Sequence, residues 1–449
     1  MVESVLSTEH AFAPGPAPSL VATAPARVKG PGWVFSFVVV QLVCSLGLLI
    51  PDVQALRMFV RSAACGTSLL FLVIGPRRER RAGTVRWLAL GALAILTLEM
   101  FNPLGGNALS VVAHWAFCIA IIAPLFWVGR LNIPQGTLAR VLLLLWAFHT
   151  VGSILGVLQA YFPVQFQPNF NTVASKHLII RLASGEWIPR PTGLTDTPGG
   201  AAGDGMYASL LGTAVVLVRP FRYARVIGIG SVILGLMCIS LCEVRAAVVT
   251  VLVCFTVMTA LFAWSGHTTR ATVAVLLLFG LVSIAFYFAL GVGGQMMSHR
   301  LESLIAADPG TVYYNTRGAM LDQAFTELLP LYPLGAGLGH WGMMNAYFGS
   351  AGQEIGSELQ IGGWILDGGA PLLVMYVAAV LSAIFYACRA SRVTDMYQAT
   401  WAAVVAAYSV GGFALCFSYP YFMGAGGLEF WLVNALLIQE IRLPRLRTR

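Results

Sequence analysis

Apolar residues in this chain fall in long runs separated by short polar connections. Twelve stretches, at about 33–50, 54–75, 87–104, 108–128, 139–162, 204–218, 226–243, 246–264, 271–292, 363–387, 398–418 and 427–441, read as membrane-spanning helices. Three of them are short for an upright helix. Two connections are long, about 163–203 and 294–362, and long loops are commonly functional. In the second, Asn315 is placed to cap a helix from Thr316 to Leu329, with Met320, Ala324 and Leu328 on one face and Pro330 and Pro333 at its end. Gly335-Ala336-Gly337-Leu338-Gly339-His340-Trp341 follows and reads as a flexible turn. The expected fold is all-α: a polytopic membrane domain over 33–441, about 12 transmembrane helices, and two long extracytoplasmic loops carrying short helices. Residues 1–32, rich in Ala and Pro without an apolar h-region, read as a disordered cytoplasmic tail, and 442–449 as a basic cytoplasmic tail. The sequence shows no internal repeat.

Composition agrees with this pattern. The 449 residues are 58% hydrophobic and 10% charged, with mean hydropathy +0.78. A soluble domain is closer to half apolar and a quarter charged. A soluble enzyme, a nucleic-acid-binding module and a disordered scaffold are thereby excluded. The eight cysteines lie in or beside apolar runs with no metal-knuckle spacing, and read as small core residues.

Charge changes the picture once it is sorted by side. Arg27, Lys29, Arg77, Arg78, Arg80, Arg81, Arg86, Arg130, Arg140, Arg219, Arg222, Arg225, Arg270, Arg389, Arg392, Arg442, Arg445, Arg447 and Arg449 fall on one face. These are nineteen of the 27 basic residues, so that face, with both termini, reads as cytoplasmic. Five acids, Glu3, Glu9, Glu79, Asp395 and Glu440, join them, leaving fourteen of 19 elsewhere. The net charge of +8 is thus a cytoplasmic surplus and implies no nucleic-acid partner. Arg57, Arg61, Lys176, Arg181, Arg190, Arg245, Arg300 and Arg317 remain at the outer side, where topology does not require them.

Several chemistries lack their motifs. There is no Asp-x-Asp pair, no His-Glu-x-x-His, no Gly-x-Ser-x-Gly and no Gly-x-x-x-x-Gly-Lys. The 335–339 glycines follow no expected strand, so they do not read as a dinucleotide loop. The basic 75–81 segment looks superficially like a major-facilitator loop but reads as an ordinary positive-inside anchor.

The candidates are therefore the outer charges. Arg190 lies in Ile188-Pro-Arg-Pro-Thr-Gly-Leu194, Arg245 at the tip of the seventh and eighth spans, and Arg317 at the head of the loop helix. Guanidinium forks match phosphate oxygens bidentately, and three around one cavity would suit a pyrophosphate. The plainer alternative is snorkelling or local pairing, Arg245 with Glu243 and Arg300 with Glu302. Glu358, at the mouth of the tenth span, suits a general base for a sugar hydroxyl. Asp367, nine residues on, points to another face and reads equally as an intra-bundle hydrogen-bonding group. His340 is a further candidate base, although a histidine flanked by glycine in a loop is commonly just solvated.

Taken in order, Arg190-Pro-Thr-Gly-Leu, Ser240…Arg245, Arg317 before Pro333-Leu-Gly-Ala-Gly-Leu-Gly339, and Ser357-Glu358…Asp367-Gly368 resemble the O-antigen ligase and Wzy-type polymerase superfamily of membrane glycosyltransferases. The resemblance covers about residues 185–375. It implies a glycan donor on undecaprenyl pyrophosphate, an acceptor glycan, no metal or cofactor, membrane lipids as surroundings, and for a polymerase a chain-length regulator. It also implies catalytic roles for Arg245, Arg317 and Glu358 and substrate binding by Arg190, His340 and Asp367. Such enzymes act at the periplasmic face of the bacterial inner membrane. Ligases often carry His-Asn where this chain has Ser357-Glu358, which turns the reading toward polymerase, with lipid-A-core ligase as the alternative. Glu243-Val244 also departs from the usual small residues before Arg245. A twelve-span secondary transporter is the rival from another class, with His114, Glu99 and His149 as its only midplane polar groups.

Overall fold

In the computed structural model the described residues are 30–49, 57–75, 83–167, 179–181, 187–195, 200–242, 244–280, 282–283, 287, 308–349, 355 and 357–441. Residues 1–29 of the expected N-terminal tail, the C-terminal tail 442–449, most of the 75–81 loop, Lys176, Glu243, Arg300 and Glu302 lie outside them, and Gly30 to Gly32 open the first helix. So do the side chains of Arg57, Arg181 and Arg245.

Helices dominate because nearly every run is apolar and each helix satisfies its own backbone, as a lipid surrounding demands. They are α1 (Gly30–Gly47), α2 (Arg57–Ile74), α3 (Thr84–Glu99), α4 (Ala108–Ile122), α5 (Pro124–Arg130), α6 (Thr137–Tyr161) and the short α7 (Pro163–Phe166). A two-stranded antiparallel hairpin follows, β1 (Ile179–Arg181) with β2 (Trp187–Pro189). Then come α8 (Gly200–Val218), α9 (Ala224–Leu241), α10 (Arg245–Trp264) and α11 (Thr268–Gly280). A helical run α12 spans Pro309 to Leu331, then α13 (Gly342–Phe348), α14 (Gln360–Ala390), α15 (Met396–Leu415), a 3-10 turn at Tyr421–Met423 and α16 (Ala425–Glu440).

Each of the twelve expected stretches holds a helix among the described residues. Among the described residues six helices, α6, α8, α9, α10, α14 and α15, are long and apolar enough to cross a membrane, and α4 with α5 makes a seventh if that pair, bent by 44°, is one span. α6, at 25 residues, is about 37 Å long at 1.5 Å per residue.

Packing sets the ends of the bundle. α8 and α9 run tightest together, because Gly205 and Gly235 leave each backbone room beside the other's carbonyl. α16 is a central post: Phe430 and Trp431 join Trp364, Tyr376 and Phe422 in one aromatic core. At its C-terminal end Glu440 closes the N-terminus of α6, accepting from Gly136 N at 2.5 Å and Leu138 N at 2.9 Å. This end also carries Arg130, bonded to the Leu72 carbonyl at 2.8 Å, Arg270, bonded to the Met396 carbonyl at 3.2 Å, and Arg392, stacked over Trp264. It is the basic end. The opposite end gathers the long loops and is called the loop end.

The loop helix differs from expectation. It begins at an Asp308 N-cap, whose carboxylate accepts from Thr311 N at 2.7 Å, with Pro309 in the first turn. That cap holds the Asp308 carboxyl below the usual carboxylate range. Two π-turns, Tyr314–Gly318 and Ala324–Leu328, carry the helix through Asn315, which is therefore interior and not a cap.

Candidate functional site

Gly368-Gly369 breaks α14. Gly369 has φ 61°, a left-handed conformation that favours glycine, and a Cβ there would overlap the Pro333 carbonyl oxygen. A break in a spanning helix strands backbone groups, each costing several kcal/mol in hydrocarbon, about the desolvation of one unpaired amide. The 333–341 segment supplies the partners. Ala336 N donates to the Leu366 carbonyl at 2.7 Å, and Ala370 N donates to the Pro333 carbonyl at 3.0 Å.

The glycine-rich segment is thus a buried plug and not the flexible turn expected of it. Residues 335–341 are all buried, and Gly335, Gly337 and Gly339 adopt positive φ where their backbones press on Gly368, Gly105 and Ser110. Gly106 N donates to the Leu338 carbonyl at 2.9 Å. His340, a candidate base and substrate-binding residue, is buried, and its Nε2 donates to the Leu104 carbonyl at 2.6 Å. Asn102 Nδ2 joins Glu99 Oε2 at 2.7 Å to the Gly335 carbonyl at 3.3 Å.

Asp367, the last residue before the break, faces inward. His114 Nε2 donates to its Oδ2 at 3.1 Å, and Trp341 Nε1 donates to its Oδ1 at 2.8 Å. Cys118 lies one turn along α4 from His114. Beside them is a cavity with room for about one water, lined by Cys118, Gln360, Trp364, Asp367 and Tyr376. Gln360 Oε1 accepts from Phe422 N at 2.8 Å, while its Nε2 has no partner.

At the rim of the loop end, Arg317 pairs with Glu358. Their side chains are 34% and 61% exposed, so both can reach solvent or a ligand. Arg317 lies in the first π-turn of α12, one residue before its end, and Glu358 sits two residues before α14. Arg61 reaches the Met343 sulfur and the Tyr347 hydroxyl of α13.

Arg190 lies on a second docked loop. Gln159 of α6 accepts from Thr192 N at 2.8 Å and Gly193 N at 2.9 Å, and Gln167 Nε2 donates to the Arg190 carbonyl at 3.1 Å. The Arg190 side chain is half-buried, whereas Pro191 to Leu194 are buried. Leu194 N approaches Asp204 Oδ2 at 3.4 Å. Asp204 Oδ1 in turn accepts from His149 Nδ1 at 2.8 Å, and His149 Nε2 lies 3.6 Å from Glu429 Oε2. Tyr408 donates to the same Glu429 oxygen at 3.1 Å, and the Tyr207 and Tyr421 hydroxyls bond at 2.9 Å. The turn Tyr421–Met423 therefore joins this cluster to the Gln360 cavity.

Of the residues expected at the site, Arg317 and Glu358 are brought together. Arg190 is held separately against α6, and Arg245 is the first residue of α10. His340 and Asp367 are turned into the protein. Gln159, Asp204, Gln360 and Glu429 were missed; the signal for the two acids was a carboxylate at the edge of an apolar run. Compared with known proteins, the chain matches no family model and no curated sequence.

Proposed function

We propose that the chain is a polysaccharide polymerase of the bacterial inner membrane, with the loop end periplasmic and both termini cytoplasmic in a twelve-span frame. It transfers a glycan from an undecaprenyl-pyrophosphate donor to a sugar hydroxyl of an acceptor glycan. The observation that carries this reading is the Arg317–Glu358 pair, a cation and a carboxylate held together at the rim by two anchored elements. A rim ion pair is weak, so a doubly charged pyrophosphate can displace Glu358 from the guanidinium. Glu358, released, takes the proton of the acceptor hydroxyl. The acceptor oxygen then bonds to the anomeric carbon as the bond to phosphate breaks, and the pyrophosphate leaves with the electron pair against Arg317. Arg190 and Arg245 are the further cations of the loop end. His340 and Asp367 act on position, by fixing the plug that floors the site. Repeat length would be set with a chain-length regulator, and glycan transfer to lipid A core by a ligase is the nearest alternative product.

The test is incubation of membranes with a lipid-linked repeat unit. Arg317→Ala is expected to lower polymer formation by about 100-fold or more, the loss seen when one transition-state donor is removed, with unchanged membrane abundance. Glu358→Gln should behave alike. Normal ladders from Arg317→Ala, Arg190→Ala and Arg245→Ala together would overturn the proposal. Product on lipid A core in place of a ladder would assign the ligase.

One observation favours a second reading, a proton-coupled transporter: His149 lies between Asp204 and Glu429 within the bundle. Proton uptake by proteoliposomes that disappears in His149→Gln would support that reading.

A further inference from the structure

The group His114, Cys118 and Asp367 lies apart from the rim pair. The reaction proposed above gives it no chemical step. One donor atom from each residue lies within 4.8 Å of the others, and all three residues are buried. His114 and Cys118 stand at i and i+4 of α4, so both side chains project from one helix face. Asp367 reaches them from the half-helix that ends at the break in α14. Thiolate, imidazole and carboxylate together form a donor set for a borderline-soft divalent ion of the zinc type.

The His114 ring also meets the Cys118 thiol, so the two donors on α4 already face one another. One further observation points to a ligand and not to a closed core. Gln360 Nε2 is buried and unpartnered, and it lines the same water-sized cavity as Cys118 and Asp367. An orphaned buried amide beside a cavity would be costly if that cavity held nothing.

We infer that Cys118, His114 and Asp367 bind a zinc-like divalent cation, whose fourth position is a water in the cavity. The Gln360 amide N–H donates to that water's oxygen. On binding, the Cys118 thiol loses its proton to solvent as the metal–sulfur bond forms. The His114–Asp367 hydrogen bond is exchanged for two bonds to the ion, leaving the imidazole proton on the other ring nitrogen. Bonds of about 2.0 Å to N and O and 2.3 Å to S place donor atoms roughly 3.3–3.8 Å apart, so the three donors, all within 4.8 Å of one another, need only small adjustments, with His114 Nε2 and Asp367 Oδ2 moving apart from 3.1 Å. The ion ties α4 to the α14 break that seats the 333–341 plug. It is a structural tie, and the inference stands independently of the proposed transfer reaction.

The test uses the full chain purified in detergent, stripped with a chelator and then titrated with Zn²⁺ or Co²⁺. About one equivalent should be retained after desalting, by elemental analysis, and Co²⁺ should give a thiolate-to-cobalt charge-transfer band. Cys118→Ser should abolish that band, and His114→Gln should weaken retention at least tenfold. Cys388→Ser, outside the group, should change neither. Wild-type protein that retains no metal, or Cys118→Ser with the full band, would overturn the inference. If Cys118→Ser is not monodisperse, His114→Gln decides: full retention there overturns the site, and weakened retention supports it.

Discussion

The buried histidine–acid clusters and the rim pair Arg317–Glu358 are both ion-pair geometries, yet they sit in opposite surroundings. At His114–Asp367 the side chains are 0% and 2% exposed, and at His149–Asp204 they are 7% and 2%; at the rim the figures are 34% and 61%. Inside, each carboxylate oxygen already has a protein donor: Asp367 takes His114 and Trp341, and Asp204 takes His149 and Leu194 N. At the rim, water competes for every bond, and the pair can be exchanged for another anion at small cost. Buried polar groups here fix helix positions; the exposed pair is open to solvent. On the proposed function, activity and stability separate by depth, and the comparison can be broken by substitution.

The largest effect is expected at Asp204→Ala. It leaves His149 Nδ1 and Leu194 N without their carboxylate inside the bundle, which typically costs about 3–5 kcal/mol when one partner of a buried pair is removed. Thermal unfolding in detergent should show a large downward shift, with Asp367→Ala of the same order. A shift no greater than that of Arg317→Ala would remove the distinction between depth classes.

Gly369→Ala comes next. Forcing a left-handed conformation on alanine costs about 1–3 kcal/mol, and the new methyl overlaps the Pro333 carbonyl. The plug should loosen, so the Ala336 and Ala370 amides, bonded across the break, should exchange faster with solvent. Unchanged exchange would mean that the plug does not depend on the Gly368-Gly369 break.

Helices were legible in the sequence because an apolar run is a local signal. The stretch expected at 246–264 is found at Arg245–Trp264, and that expected at 204–218 at Gly200–Val218. The break in α14 was read through, although Gly368-Gly369-Ala370-Pro371 is a breaker signal, because the apolar pattern continues across it. The buried plug could not be inferred without that break, since its burial answers carbonyl and amide groups that the break exposes. The start of α12 was misplaced by about two turns: Asp308-Pro309 is the stronger cap signal, and the π-turns hide the period that follows. Site partners were the least legible. His114 and Asp367 are 253 positions apart and His149 and Asp204 are 55 apart, so only tertiary packing brings each pair together. Arg317 and Glu358 were each named from chemistry, but their mutual pairing across 41 positions was not.

Arg317→Ala should barely move thermal unfolding, by about 0–1 kcal/mol, while the catalytic loss described above is large. Stability and activity thus change in opposite proportion to Asp204→Ala. A destabilisation at Arg317 comparable to that of a buried pair would show that the rim pair is structural, and would weaken the exchange of Glu358 for pyrophosphate.

Asp308 gives the smallest and most local effect, and it extends the rim side of the comparison to protonation. Its fully exposed carboxyl is held below the ordinary value of about 3.9 by the Thr311 amide and hydroxyl. A depressed folded value means that the cap's contribution is fully present above the unfolded value and disappears as pH falls through the folded one. Protection of the first turn of α12, followed at the Thr311 amide by hydrogen exchange corrected for its intrinsic rate, should therefore be flat from neutral pH to about 5 and decline below about 4. Asp308→Asn keeps an acceptor without a titrating group, so its protection should stay flat across the same range. If wild type and Asp308→Asn decline in parallel on acidification, the decline belongs to the bundle, and the loop helix is not capped by a charge.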